Sequence, residues 1–500
     1  MRASALESRQ KRGLVLGAFL ILSVIPPALA SRTAWACLGT CPTITGPITG
    51  GLLGHPFPTT VLDLAKMGYV EQEFFVAGSA DSYTSATLPL PFDGLWSVTK
   101  AASAAFKTRI IVRRPIDATR FNGTVVVEWL NVTGGLDAPA TWDSSYLELL
   151  RAGFAWVGVS AQSIGINGEP GTTCPPAGTN EGLKCIDPVR YASLVHPGDS
   201  FSYDIFTQAG EAVREPGPGQ PDPMGGLKIH KVIATGDSQS AIFLTTYIDG
   251  IQPLAKLYDG FLVQSRAING GPLSEPPQAS IPAPLPTFFR TDQVPILVFT
   301  TETDLIVLAY FFARQPDDTM FRDWEVAGTS HADLFSLTAG TADAGAPLSS
   351  VTDLCTLPIN DGPMHYVLNA AFQALNGWLN TGTLPPIAPR INVNPGPPPT
   401  LVTDPATGNV MGGIRTPIID VPFAAYSGLG NSAKAPGPNF CILFGTTIPY
   451  SDAQLDSLYG NHGKYVSQFV HDTNEATQAG FILAPDAQTL KQSAAHASVP

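Results

Sequence analysis

Charge is what this 500-residue chain has least of: Asp, Glu, Lys and Arg together make up 14% of it. Cations are the scarcer half, with 28 Lys and Arg against 41 Asp and Glu and a net charge of −13. A chain so poor in basic residues lacks the electrostatic footprint for nucleic acid or an anionic bilayer, and neither is expected as a partner. Long apolar runs are missing too. Residues 13–25 (GLVLGAFLILSVI) form the one candidate, and thirteen residues fall short of the roughly 20 that a membrane-spanning helix needs. Cysteine is limited to six, with no CxxC pair and no HExxH, so no metal centre is expected.

What is present begins at the N-terminus. Arg2, Arg9, Lys11 and Arg12 precede the apolar run, and PPALA follows it, ending at Ala30. A positive start, a short apolar stretch and small residues before a cut are the parts of a secretory signal. Residues 1–30 are therefore expected to be a signal peptide, with cleavage after Ala36 as the alternative. The resulting protein would be secreted or periplasmic, without stable membrane insertion. The leader carries four positive and one negative side chains, so the remainder has a charge of −16. All six cysteines (Cys37, Cys41, Cys174, Cys185, Cys355 and Cys441) lie beyond it. An even count in an exported chain reads as disulfides. Cys174 and Cys185 flank a Pro/Gly-rich loop and are expected to pair, which leaves Cys37–Cys41 and Cys355–Cys441.

Gly and Pro supply 94 of the 500 residues, so much of the chain must be ordered loop. Hydrophobic residues, at 44%, suffice for a large core. Strands are expected at 69–78, 108–114, 124–131, 154–162, 230–236, 258–265, 295–301 and 323–328, from β-branched or apolar runs bounded by turn residues. Helices are expected at 144–153, 202–214, directly after residue 238, and at 364–379. Strands alternating with helices imply an α/β fold: a mostly parallel sheet with helices on both faces. Ligands of such sheets bind beyond the carboxyl ends of the strands. Two stretches break the rhythm. The Pro-rich segment 266–293 reads as a cap insertion over the site. Residues 381–500, which open on a linker-like run (PPIAPRINVNPGPPPT), read as a C-terminal extension packed on a core of residues 31–380; an independent small domain is the other reading. Residues 31–60 are expected to be irregular.

The chemistry centres on HKVIATGDSQSAIFL. Ser238 stands between a β-branched strand and a helix, the setting of a nucleophile elbow, with Gly236 two residues before it. Ser240 takes the place two residues after, where glycine is usual. A lone serine needs a base that is itself oriented, and the partners follow in the order acid, then histidine. The strand ILVFT leads into Glu302 and Asp304, and DWEVAG leads into Thr329, Ser330 and His331. Asp304 is the expected acid with Glu302 as the alternative, and His331 is the expected base. An oxyanion hole needs two backbone donors. The N–H of Gln239 is one, and Asn131, Val132 or Thr133, in the loop after strand 124–131, would supply the other. Asn131 also begins a glycosylation sequon, as does Asn122. In LVHPGDSFSYDIF, His196 and Asp199 either line the entrance or form a turn and helix cap. GLGNSA (428–433) looks like a dinucleotide loop but runs into Lys-Ala-Pro-Gly-Pro rather than a helix, so no nucleotide or other cofactor is expected.

The blocks FNGTVVVEWLNVT, WVGVSAQ, LVHPGDSFSYDIF, TGDSQSA, TETD, WEVAGTSHAD, GGIRTP and GFILAPDA give the chain, from about residue 68 onward, a further character. It resembles a family of exported bacterial and fungal α/β-hydrolase domain proteins. The Gln and Ser after the nucleophile are similar to that family's own elbow. The resemblance implies an α/β-hydrolase fold and the roles of nucleophile, acid and base for Ser238, Asp304 and His331, leaving Glu302 open because TETD holds both carboxylates. The expected activity is cleavage of small or polymeric carboxylic esters. An acyltransferase or peptidase would use the same three residues, and a non-catalytic binding protein would have one of them misplaced.

Overall fold

β-Branched residues crowd each other's rotamers in a helix and pack well on a pleated surface, and they build the centre of this molecule. The computed structural model describes residues 41–436 and 440–499. The expected signal peptide and Cys37 lie outside them, so the Cys37–Cys41 expectation does too. Nine strands form one sheet: β1 Thr43–Thr45, β2 Tyr69–Ser85, β3 Val98–Pro115, β4 Thr124–Trp129, β5 Ala155–Val159, β6 Lys231–Asp237, β7 Gly260–Gln264, β8 Ile296–Thr300 and β9 Phe321–Glu325. Their spatial order is β1-β2-β3-β5-β4-β6-β7-β8-β9. From β5 to β9 every pairing is parallel, and β1, β2 and β3 add an antiparallel edge.

Side chains of a strand alternate between faces, and the apolar runs divide accordingly. Val125, Val127, Val232, Ala234, Val263 and Val298 enter one core. Val126, Trp156, Ile233, Leu262, Leu297 and Trp324 enter another. Each fully buried Val or Leu contributes about 1.5–3 kcal/mol. Helices cover both faces, as the alternation implied. The first core is closed by α2 (Ser202–Arg214) and α3 (Gln239–Thr246), the second by α1 (Ala140–Arg151) and α6 (Met364–Thr381). Two shorter helices, α4 (Glu302–Ile306) and α5 (Leu334–Asp343), follow β8 and β9.

Three boundaries differ from the sequence reading. Strands β2 and β3 run 17 and 18 residues, because the polar second half of β2 pairs with the polar first half of β3 as far as Ser85↔Val98 and holds an Asp81–Lys100 ion pair of 2.6 Å. Helix α1 starts at Ala140 rather than 144, since the Glu128 carboxylate reaches from β4 to accept the N–H groups of Thr141 and Trp142 at 2.8 and 3.0 Å. It stops where expected: Gly153 has φ +75°, and a Cβ there would lie 2.0 Å from the Arg120 carbonyl oxygen. Segment 31–60 contributes the short edge strand β1.

The described residues all belong to one compact unit. From the C-terminal part, Ile391, Val410, Ile419, Ala424 and Tyr426 join the first core, while helices α7 (His462–Gln478) and α8 (Ala484–His496) build a smaller core of their own. Among the described residues no helix is long and apolar enough to cross a membrane. Disulfides link Cys174 to Cys185 and Cys355 to Cys441. The second closes a span of 86 residues, and constraint of the unfolded chain grows with loop length. The double variant Cys355→Ala/Cys441→Ala is expected to lose about 2–5 kcal/mol of unfolding free energy, read from denaturant midpoints. An unchanged midpoint would contradict it.

Candidate active site

Strand β6 ends at Asp237, and α3 begins at Gln239. Ser238, between them, has φ 60° and ψ −121°, a backbone region that costs a non-glycine residue about 1–3 kcal/mol. The turn is held by its N–H, which donates to the Gln264 carbonyl at 3.1 Å, and by its own carbonyl, which accepts from Ile242 at 3.1 Å. The two flanking small residues meet face to face. A Cβ on Gly236 would sit 3.1 Å from the Ser240 Cβ, so glycine on one side makes room for serine on the other. That accounts for the departure at Ser240.

The structure brings Ser238, His331 and Asp304 together. Ser238 Oγ lies 2.8 Å from His331 Nε2, and His331 Nδ1 lies 2.6 Å from Asp304 Oδ1. Asp304 is fully buried. Its other oxygen accepts the Thr301 N–H at 2.8 Å, while the Thr301 hydroxyl accepts the Asp304 N–H at 3.3 Å, the capping box of α4. The loop after β9 is fixed by the His331 N–H, which donates to Thr303 Oγ1 at 3.2 Å. Burial works to lower the His331 pKa, but the neighbouring Asp304 carboxylate outweighs it, and the net direction is upward.

Glu302, the alternative acid, touches neither His331 nor Ser238. Its two oxygens accept the Gly328 and Gly428 N–H groups at 2.5 and 2.8 Å, tying the C-terminal part to the loop after β9. Burial pushes it up to about 7. The sequence holds a signal that separates the two acids: Thr301 and Asp304 are spaced as a capping box, which fixes Asp304 at the third position of a helix.

Gln239 is the first residue of α3, so its N–H has no acceptor within the helix. Of the expected second donors, Asn131 is corrected: its N–H goes to the Ala138 carbonyl at 2.9 Å. Its side-chain amide donates instead to the Asp237 carbonyl at 3.0 Å, next to Ser238, and the asparagine of its sequon is buried. The Thr133 N–H is turned onto Asn131 Oδ1 at 2.8 Å. The Val132 N–H is the loosely held one, at 3.4 Å from Gln239 Oε1. Asp199 does not cap the helix that follows it, which has no side-chain cap; its Oδ1 instead accepts the Ser163 N–H at 2.7 Å, and His196 is turned onto the Ala161 carbonyl at 2.9 Å.

A cavity of about 700 Å³ opens beside Asp237 and His331. Its walls come from the stretch after β4, from the disulfide-closed loop around Asn180, and from α5 and the residues that follow it. The Pro-rich segment 266–293 supplies none of the lining, contrary to the expected cap. It lies along the flank of α2 and α3, where the Pro272 carbonyl accepts from Tyr203 Oη at 2.6 Å and the Gly271 N–H donates to the Ile242 carbonyl at 2.8 Å.

A family model described as "Alpha/beta hydrolase domain" matches residues 44–492. A search of curated proteins finds no match. Similar solved structures include an α/β serine hydrolase without lid from Xanthomonas campestris, at 13% identity and TM-score 0.28 over 49% of this chain and 87% of that one. Another is a thermostable esterase from Pseudomonas putida, at 12% identity and TM-score 0.25 over 49% of this chain and 66% of that one. A third is a glucuronoyl esterase from Teredinibacter turnerae, at 11% identity and TM-score 0.27 over 57% of this chain and 75% of that one.

Proposed function

Because the chain belongs to the alpha/beta hydrolase domain family, we propose that it is an exported serine hydrolase that cleaves carboxylic esters through an acyl-enzyme. The observation that carries this reading is the unbroken contact from Ser238 Oγ through His331 to Asp304, at 2.8 and 2.6 Å. Ser238 Oγ attacks the ester carbonyl while His331 Nε2 takes its proton. Asp304 holds the imidazole by Nδ1 and stabilises its charged form. The tetrahedral oxyanion forms at the N-terminus of α3, where the Gln239 N–H and the helix dipole favour negative charge. The Val132 N–H is the second donor, released from Gln239 Oε1 as the oxyanion arrives. His331 then returns the proton to the leaving alcohol, and water, activated by the same imidazole, frees the acid. Every atom in this sequence comes from the chain, the ester and water.

Export is supported by the positive-then-apolar N-terminal pattern and by the disulfides Cys174–Cys185 and Cys355–Cys441, which persist in oxidising compartments. The enzymatic reading is tested with short-chain p-nitrophenyl esters and a fluorophosphonate probe. Turnover of the esters and stoichiometric labelling mapped to Ser238 are the expected results. Absence of both, in folded protein with its disulfides intact, refutes the proposal.

A further inference from the structure

The cavity beside Ser238 and His331 has a one-sided polar chemistry. Its body is apolar, with Phe57, Leu136, Ile186, Leu337 and Val351 on the walls. Its buried polar side chains include three carboxyl groups. Asp137, Asp143 and Asp237 all line it and are only 1%, 6% and 7% exposed. In each, Oδ1 has no hydrogen-bond donor among the described residues. Three hydroxyls on the same walls are turned away: Ser144 Oγ donates to the Ala140 carbonyl at 2.9 Å, Ser336 Oγ to the Asp333 carbonyl at 3.1 Å, and Thr341 Oγ1 to the Leu337 carbonyl at 2.7 Å. Among the described residues no Lys or Arg lines the cavity. Two arginines lie behind the walls: Arg109, fully buried, is paired with Asp137 Oδ2 at 2.8 Å, and Arg113 is close enough to Asp143 to act on its charge.

We propose that this cavity selects esters by charge, taking an apolar group that is neutral or that ends in a hydroxyl or ammonium, and turning away a group that carries a carboxylate. This deepens the ester-hydrolase reading and rests on it. An anion entering the cavity leaves its hydration behind and meets Asp143 and Asp237 with no Lys or Arg on the walls to compensate. A neutral hydroxyl meets no such repulsion, and an ammonium is favoured by the same carboxyl groups. The walls already resist further negative charge. Burial first, then neighbouring carboxylates, lifts Asp143 well above the usual carboxylate range, and the same causes push Asp237 up to about 7.

Matched substrate pairs test this on the intact protein. p-Nitrophenyl hexanoate and mono-p-nitrophenyl adipate have acyl chains of equal length and differ by a terminal carboxylate. Butyrylcholine and 3,3-dimethylbutyl butyrate have the same shape on the alcohol side and differ by one positive charge. The expected kcat/KM for the hexanoate exceeds that for the adipate monoester by at least about a hundredfold, and butyrylcholine equals or exceeds its neutral isostere. In Asp143→Asn, the hexanoate-to-adipate ratio is expected to shrink about tenfold as one carboxyl is removed. Should that variant fail to fold, the wild-type ratios still decide. Equal rates within the acyl pair, or choline discriminated against relative to its isostere, overturn the inference. An unaltered ratio in folded Asp143→Asn overturns the part given to Asp143. If none of the four esters turns over and the fluorophosphonate does not label, ester hydrolysis itself falls and the selectivity with it; turnover without selectivity removes only the latter.

Discussion

Asp304→Asn is expected to lower kcat about 10⁴-fold, the scale seen when a buried triad carboxylate is neutralised, while Glu302→Gln stays within about tenfold of the parent enzyme. The two carboxylates are two residues apart and both buried, yet they face different partners. Asp304 Oδ1 sits 2.6 Å from His331 Nδ1 and must accept the Nδ1–H hydrogen bond there, so that Nε2 is left as the base toward Ser238. Its other oxygen is already committed to the Thr301 N–H at 2.8 Å, which fixes the carboxylate's rotation. An amide in its place either abandons Thr301 or offers His331 a donor and thus the wrong tautomer. Glu302 instead caps the Gly328 and Gly428 N–H groups. Its amide variant keeps one acceptor and sets a donor against the other N–H, a loss of about 1–3 kcal/mol of stability rather than of rate. Steady-state kinetics with a p-nitrophenyl ester and thermal melts of both variants separate the two effects. The pH profile adds a sign. In the proposed reaction His331 works as a neutral base, and Asp304 raises its pKa above the ordinary value, so kcat/KM falls as the pH drops through that raised value. Without the Asp304 charge, burial is opposed by Asp237 alone, the pKa moves down, and the acid limb of the residual activity shifts to lower pH. A collapse of activity in Glu302→Gln alone would overturn the assignment.

The parts of this site that were legible in the sequence are those set by local order. TVVVEW and KVIATGD read as strands because β-branched runs have little alternative, and Ser238, Asp304 and His331 follow three different strands in the order the fold requires. The parts that were not legible depend on groups distant in sequence. Helix α1 begins early because Glu128 caps it from 13 residues away. Asn131 is lost as a backbone donor because the Ala138 carbonyl, seven residues on, claims its N–H. The cap was assigned to 266–293 on proline content, whereas the cavity walls come from loops that flank β4 and follow β5 and β9. Proline marks a loop; where that loop lies is decided by what its carbonyls find, here Tyr203 on α2.

Ser238→Ala is expected to lower kcat by about 10⁵–10⁶-fold and to abolish fluorophosphonate labelling, and adding His331→Ala should cost almost nothing more. The two side chains act on one proton in one step. Once Oγ is gone the imidazole has nothing to activate, so the free energies of the two changes do not add. The residual rate over water then measures what the oxyanion donors and the cavity supply without the nucleophile. Ser238→Gly sharpens the point from the side of stability. It should be as inactive as the alanine variant yet melt at a higher temperature than it, because glycine adopts φ 60° without the strain of a Cβ. A difference of about 1 kcal/mol is expected in equilibrium unfolding, reduced by glycine's greater freedom in the unfolded chain. That strain accompanies the holding of Oγ 2.8 Å from His331 Nε2. Strictly additive losses in the double variant, or a glycine variant less stable than the alanine one, would mean that Ser238 does not hold the strained, base-coupled position from which the hydrolytic chemistry has been derived.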